Sequence, residues 1–198
     1  DSRHVVQKFT AAGAFVTAWG SPGAGDGEFD HPNGVAVDAD GHVYVADQSN
    51  HRVQEFTSDG TFVTSIGSYG SGNGQFTYPL GVAVDRDGNL YVTDSGNDRV
   101  QKFTSDGTFV TAWGSEGTGE GQFLGAHGVA VDADANVYVS DYLGDRVQQF
   151  TSTGTFVAAW GGTGTGDGQF DRPRGLAVDT YGDVYVAEYG HSRVQRFG

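Results

Sequence analysis

Three features of the sequence predict an all-β fold, a β-propeller of four-stranded antiparallel blades. Val6, Val53, Val100, Val147 and Val194 recur 47 residues apart. Each period holds four short strand-like runs joined by hairpin-length turns, and the first two runs are apolar on both faces. A fixed period of this size marks a repeat architecture, in which each copy buries its surface only against its neighbours. Four antiparallel strands covered on both sides fit sheets stacked face to face around an axis. A parallel β-solenoid is the competing architecture, but its coils lack three hairpins per repeat.

Taken in order, the first run is GVAVD at 34–38, 81–85 and 128–132, and GLAVD at 175–179. Turns rich in Asp and Gly follow (ADG, RDG, ADA and TYG), supplying the positive φ and local side-chain bonds of a hairpin. The second run ends at Asp47, Asp94, Asp141 and Glu188, and the third begins at Arg52, Arg99, Arg146 and Arg193. One acid and one Arg per copy, at one register, predict a buried pair bracing the blade rather than a ring around a ligand. The fourth run mixes Thr and Ser with Phe62, Ile66 and Trp113, as a half-solvated outer strand should. The blades are expected at about 34–67, 81–114, 128–161 and 175–197 within one domain, 1–198. The chain opens with an extra third strand and a fourth, 14–20, which is expected to complete the last blade.

Composition narrows the class. Thirty-three glycines, no Cys and no apolar run near the 18 residues of a membrane span indicate a soluble, turn-rich domain without disulfides or thiolate metal sites. With no signal peptide and no Met, the sequence reads as a mature or excised piece of something longer. A net charge of −14 disfavours nucleic acid and suits an extracellular or salty setting.

Together, the Gly-rich loop, Phe, P-x-G-[VL]-A-V-D, [VL]-Y-V-x-[DE], R-V-Q-x-F and G-x-F-V resemble the NHL repeat, over the whole chain and in four copies. The resemblance implies one propeller blade per repeat. Six blades are usual in that family, against four repeat equivalents here. The expected ring is therefore either closed with four blades or part of a larger, strand-sharing oligomeric one.

Most motifs read as scaffold. The loops GSPGAGDGEF, GSYGSGNGQF, GSEGTGEGQF and GTGTGDGQF run into strands, not helices, so they are inter-blade connectors anchored by Phe29, Phe76, Phe123 and Phe170 rather than phosphate loops. The DADG-type turns lack the further ligands of a calcium loop. Function is sought where the copies differ. The residue before the first run is Asn33, Leu80, His127 or Arg174, and all four are expected to face the axial channel, where a small polar or anionic ligand could bind. The loops between second and third strands carry His51, Tyr142, Tyr189 and His191 towards one face, suited to protein or glycan recognition.

Enzymes resembling such propellers include amidating lyases with three axial zinc-binding histidines, and lactonase-like propellers with an axial metal held by Glu, Asn and Asp. Only His127 and Asn33 match those positions, and no nucleophile with a paired His is discernible. The sequence thus points to a non-enzymatic scaffold with no cofactor or metal, binding a protein or glycan, with a small ligand in the channel, no nucleic acid and no membrane. A metal-dependent lyase or lactonase-type enzyme and a strand-sharing homo-oligomer, or a designed or duplicated repeat protein, are the alternatives.

Overall fold

The computed structural model describes residues 4–198. Among these residues, seventeen strands and two single 3-10 turns make up the regular structure. The first complete sheet contains β3 (Pro32–Val37), β4 (Val43–Asp47), β5 (Arg52–Phe56) and β6 (Phe62–Ile66), each antiparallel to the next. The second contains β7 (Pro79–Val84), β8 (Leu90–Asp94), β9 (Arg99–Phe103) and β10 (Phe109–Trp113). The third contains β11 (Ala126–Val131), β12 (Val137–Asp141), β13 (Arg146–Phe150) and β14 (Phe156–Gly161). A three-stranded sheet follows, β15 (Pro173–Val178), β16 (Val184–Glu188) and β17 (Arg193–Phe197). The inner strands β3, β7, β11 and β15 pack in succession around an axis. This is the radial arrangement of a β-propeller.

The core lies between blades, which is why the second strands must be apolar on both faces. β4, β8 and β12 are buried at all five positions. Tyr44, Val53 and Ile66 of one blade pack against Phe76, Val82, Leu90 and Phe103 of the next. The same layer recurs with Tyr91 and Val100 against Phe123, Val137 and Phe150, and with Tyr138 and Val147 against Phe170 and Val184. The connector phenylalanines Phe29, Phe76, Phe123 and Phe170 are fully buried in these layers.

Two sets of polar bonds hold each unit. In the second blade, Asp94 accepts from Arg99 Nε at 2.7 Å, Gln101 Nε2 at 3.1 Å and the Thr77 N–H at 2.7 Å. Arg99 and Gln101 also donate to carbonyls of the connector that enters the blade, at Gly72 and Gln75. Asp47, Asp141 and Glu188 are held by Arg52, Arg146 and Arg193 in the same way. The DADG-type turns close through their first Asp: Asp85 Oδ1 accepts from the Asp87 and Asn89 N–H groups, and Oδ2 from the Tyr91 hydroxyl.

Blades approach one another through glycine. A Cβ added at Gly34 would lie 2.5 Å from the Leu80 carbonyl oxygen, and one at Gly81 would lie 2.6 Å from that of His127. Beside the second contact, Thr93 Oγ1 accepts from the Gly81 N–H at 2.7 Å and donates to the His127 carbonyl at 2.6 Å. Ser140 bridges Gly128 to Arg174 identically. The corresponding residue in the first blade is Ala46, so that interface lacks the bridge.

One expectation is overturned. The N-terminal segment forms β1 (Val6–Phe9) and β2 (Phe15–Trp19), and β2 pairs with β1, so it does not complete the last blade beside β17. Val6 and Trp19 pack on Phe29, Val43 and Phe56, so the hairpin occupies the place of a preceding blade's outer strands. The connector after β2 has the length of the others and fixes it there. Three steps between full blades are set by the same glycine contacts, at Gly34, Gly81 and Gly128, and together with the hairpin they leave a gap in the ring. Val35 and Val37 are exposed on one side of it, while Ala177, Ala187 and Val194 are exposed on the other.

Candidate functional site

Ladder geometry explains why the residue before the inner-strand glycine differs between copies. Each inner strand shifts register there, between Pro32 and Val35, Pro79 and Val82, Ala126 and Val129, and Pro173 and Gly175. Such irregularities take a residue out of the pairing pattern and re-aim its side chain. Asn33, Leu80, His127 and Arg174 accordingly line one axial groove of about 330 Å³, walled otherwise by glycines and by Val35, Val82, Val129 and Leu176.

The sequence-selected loop residues divide into two pairs. Tyr142 and Tyr189 do not line the groove itself but pack on its Arg174. The Arg174 guanidinium lies 4.1 Å from the Tyr189 ring centroid and 5.2 Å from that of Tyr142, and the His127 ring is 5.7 Å from Tyr142. Cation–π contact of this kind holds a flexible Arg in place. Arg172 adds a second guanidinium 5.1 Å from Tyr189, with Asp171 at 2.9 Å. His51 and His191 stand elsewhere. His51 packs between Tyr69 and Tyr78, 4.8 Å from each ring, and its Nδ1 accepts the Tyr78 N–H. His191 Nδ1 lies 2.8 Å from the buried Glu188 carboxylate.

His51 belongs to a set that the sequence reading passed over. His4, His51, Asp98 and Asp145, again 47 apart, each accept a backbone N–H from the next unit, at His31, Tyr78, Gly125 and Arg172. The signal was available: every member has a short acceptor side chain at one register. In the last case the bond holds Arg172 in the left-handed region at φ 55°, beside the groove.

The two ends of the axis differ electrically. Burial first, then the Arg174 charge, pushes His127 down from 6.5 to about 4, so its imidazole is neutral at physiological pH. A hydrogen bond from Arg174 foremost, with Arg172, holds the Tyr142 hydroxyl below the usual phenol range. The opposite mouth is lined by the turn residues Asp85, Asp132 and Asp179, together with Arg86. A larger cavity, about 440 Å³, lies beside β1 among His4, His31, Asn33 and Gln48, away from the Arg–Tyr stack. Among the described residues, no three His, Cys, Asp or Glu side chains group closely enough to hold a metal ion. No helix of the described residues is long and apolar enough to cross a membrane.

The model of the NHL repeat matches at residues 29–56, 76–103 and 170–197, each running from a connector Phe to the end of a third strand. This chain is a β-propeller of NHL repeats. The equivalent stretch 123–150 has the same fold but carries Ala126 where the other copies have Pro32, Pro79 and Pro173.

No curated protein matches in sequence. Among solved structures, the NHL chain is similar to a catalytically inactive virginiamycin B lyase from Staphylococcus aureus with quinupristin, at 16% identity and a TM-score of 0.69, covering 98% of this chain and 60% of that one. A protein of unknown function from Bacteroides thetaiotaomicron aligns at 20% identity and a TM-score of 0.72, over 99% and 54% of the two chains. A chain of the nidogen/laminin complex aligns at 18% and 0.65, over 85% and 60%. At these identities the likeness is one of fold. The chain spans about three fifths of the length of the lyase structures.

Proposed function

We propose that this propeller is a non-enzymatic binding scaffold that engages a partner through its loop face and axial groove. A protein is the first class of partner, with a glycan or small ligand as the others. One observation carries the reading. The near-uniform repeats depart from their pattern together at one mouth of the axis, where two blades contribute His127, Tyr142, Arg174 and Tyr189. Leu143 and Tyr189 are exposed beside them. Aromatic and Arg anchors with an apolar neighbour are the residue types that dominate binding energy at protein interfaces. The presence of a chain of similar fold in a nidogen/laminin complex agrees with this use of the fold.

The test compares two surface variants for binding to a partner retrieved by the immobilised chain and then purified. Tyr142→Ser with Leu143→Ser and Tyr189→Ser should weaken binding at least tenfold, about 1.4 kcal/mol. Tyr181→Ser, exposed on a different turn, should leave it unchanged. Equal affinity for wild type and the triple variant would refute the scaffold reading. A melting temperature raised by Zn²⁺ or Ca²⁺ and restored by a chelator would favour the lyase or lactonase-type alternative instead.

A further inference from the structure

The Arg174 side chain has an unusual set of neighbours. Tyrosine rings cover it at 4.1 Å and 5.2 Å, and the Tyr142 hydroxyl engages part of its N–H edge, which leaves the other guanidinium N–H groups for a ligand. The surrounding carboxylates are committed to other groups. Asp171 pairs with Arg172, Glu188 with Arg193 and His191, and Asp145 accepts from the Arg172 N–H and the Thr163 hydroxyl. Among the described residues, none of these acids lies within salt-bridge distance of Arg174. The Arg residues that open the third strands, Arg52, Arg99, Arg146 and Arg193, all have such a partner.

Local charge points the same way. Arg172 and Arg174 flank one tyrosine; Asp171 offsets Arg172, while Arg174, with no carboxylate at salt-bridge distance among the described residues, helps hold His127 neutral in a chain of net charge −14. An anion there would gain a charge-assisted, bidentate contact with the guanidinium edge. The acidic remainder of the surface sets the upper limit on that anion's charge. Screening lengths of about 8 Å at physiological ionic strength leave a single small charge to feel mainly Arg174, whereas a polyanion would extend over repelling carboxylates. The groove beyond Arg174 is walled by glycine and valine, which suits an uncharged frame. Exposed Leu143 and Tyr189 at its rim suit the side chains of a peptide.

From these observations we infer that the Tyr142–Arg174–Tyr189 stack is a recognition notch for one carboxylate of a protein partner, on a segment otherwise free of acidic residues. The inference rests on the scaffold reading and deepens it.

The test uses the full chain, with the NMR signals of the His127 and Tyr142 rings as the local readout. The probes are an acetylated tripeptide with uncharged side chains and a free C-terminal carboxylate, and the same peptide as its amide. Methyl glucuronide and methyl glucoside form a second pair. The carboxylate peptide should shift both rings and bind at least tenfold tighter than its amide. Arg174→Gln should abolish that tenfold difference with the melting temperature unchanged, while Arg174→Lys should restore only part of it.

Equal binding of peptide acid and amide, an unchanged preference in Arg174→Gln, or no ring shift up to about 20 mM, near the limit of measurable affinity for small ligands, would overturn the carboxylate notch. Tighter binding of the glucuronide than of the peptide acid would overturn the protein source. If the purified partner still loses affinity to the loop-face variant in any of these cases, the scaffold reading stands without the notch. If the peptide acid binds but the loop-face variant does not affect the partner, the scaffold reading fails alone.

Discussion

Gly81→Ala and Gly175→Ala place the same methyl group at equivalent points of two blades, with opposite expected outcomes. At Gly81 the new Cβ would sit 2.6 Å from the His127 carbonyl oxygen and 3.0 Å from both Thr93 Oγ1 and the Val129 nitrogen. An ordinary carbon–oxygen contact needs more than 3 Å, so β11 must retreat by roughly half an ångström or more against a close-packed interior. Overpacking of this kind costs about 1–3 kcal/mol. The retreat also stretches the Thr93 bridge, two bonds of 2.6 and 2.7 Å, whose loss adds about 1 kcal/mol. The expected penalty is therefore about 2–4 kcal/mol. At Gly175 the nearest atom is the Ala187 Cβ at 3.6 Å, an ordinary contact. There the reduced entropy of the unfolded chain should leave stability unchanged or raise it by up to about 1 kcal/mol. Urea unfolding followed by fluorescence of Trp19, Trp113 and Trp160 measures both. A loss below about 1 kcal/mol for Gly81→Ala would refute the packing argument. Equal losses for the two variants would show that β15 is covered in solution as β7 is.

Three further outcomes are expected. Asp94→Ala should cost about 3–5 kcal/mol in the same assay, because it strands a largely buried Arg99, and adding Arg99→Met should recover part of that loss. Ala46→Ser should stabilise by about 1 kcal/mol, read as a shift in urea midpoint, by supplying between Gly34 and Leu80 the bridge that Thr93 and Ser140 make elsewhere. His127, faced by Arg174 and Tyr142, has a folded value near 4 against 6.5, so the unfolded state binds the extra proton between those values. Its contribution to stability is full above pH 6.5 and is lost as pH falls towards 4. The shift corresponds to at most about 3 kcal/mol, since the groove admits water. His127→Asn should flatten that part of the pH–stability profile.

The 47-residue period and the two-sided apolar strands were enough to read the blades, because face-to-face stacking imposes both. Asn33, Leu80, His127 and Arg174 could be placed on one axis for the same reason: a residue at one register of a repeat occupies one place in every blade. How Tyr142 and Tyr189 separate from His51 and His191 was not legible. It depends on which neighbour each ring meets across a blade interface, and the adjacent Arg174 is peculiar to one copy. The pairing of β2 was not legible either. The third strands VQKF of β1 and RVQRF of β17 offer nearly the same edge to a fourth strand. What decides between them is the angle accumulated over successive blades, which no local pattern encodes.

The direction of the Arg and Gln bonds has a consequence for how such chains can be lengthened or shortened. Arg52 and Gln54 reach back 24–27 residues to the carbonyls of Gly25 and Glu28, as Arg99 and Gln101 do to Gly72 and Gln75. Each connector is thus fastened to the sheet it enters rather than the one it leaves. The self-sufficient module begins at a connector, running 20–66, 67–113 and 114–160, and is out of step with the sheets themselves. A graft or deletion cut at those limits would carry its fastening whole. One cut at the sheet boundaries would leave a buried carboxylate, an arginine and a glutamine in one parent and the carbonyls they serve in the other.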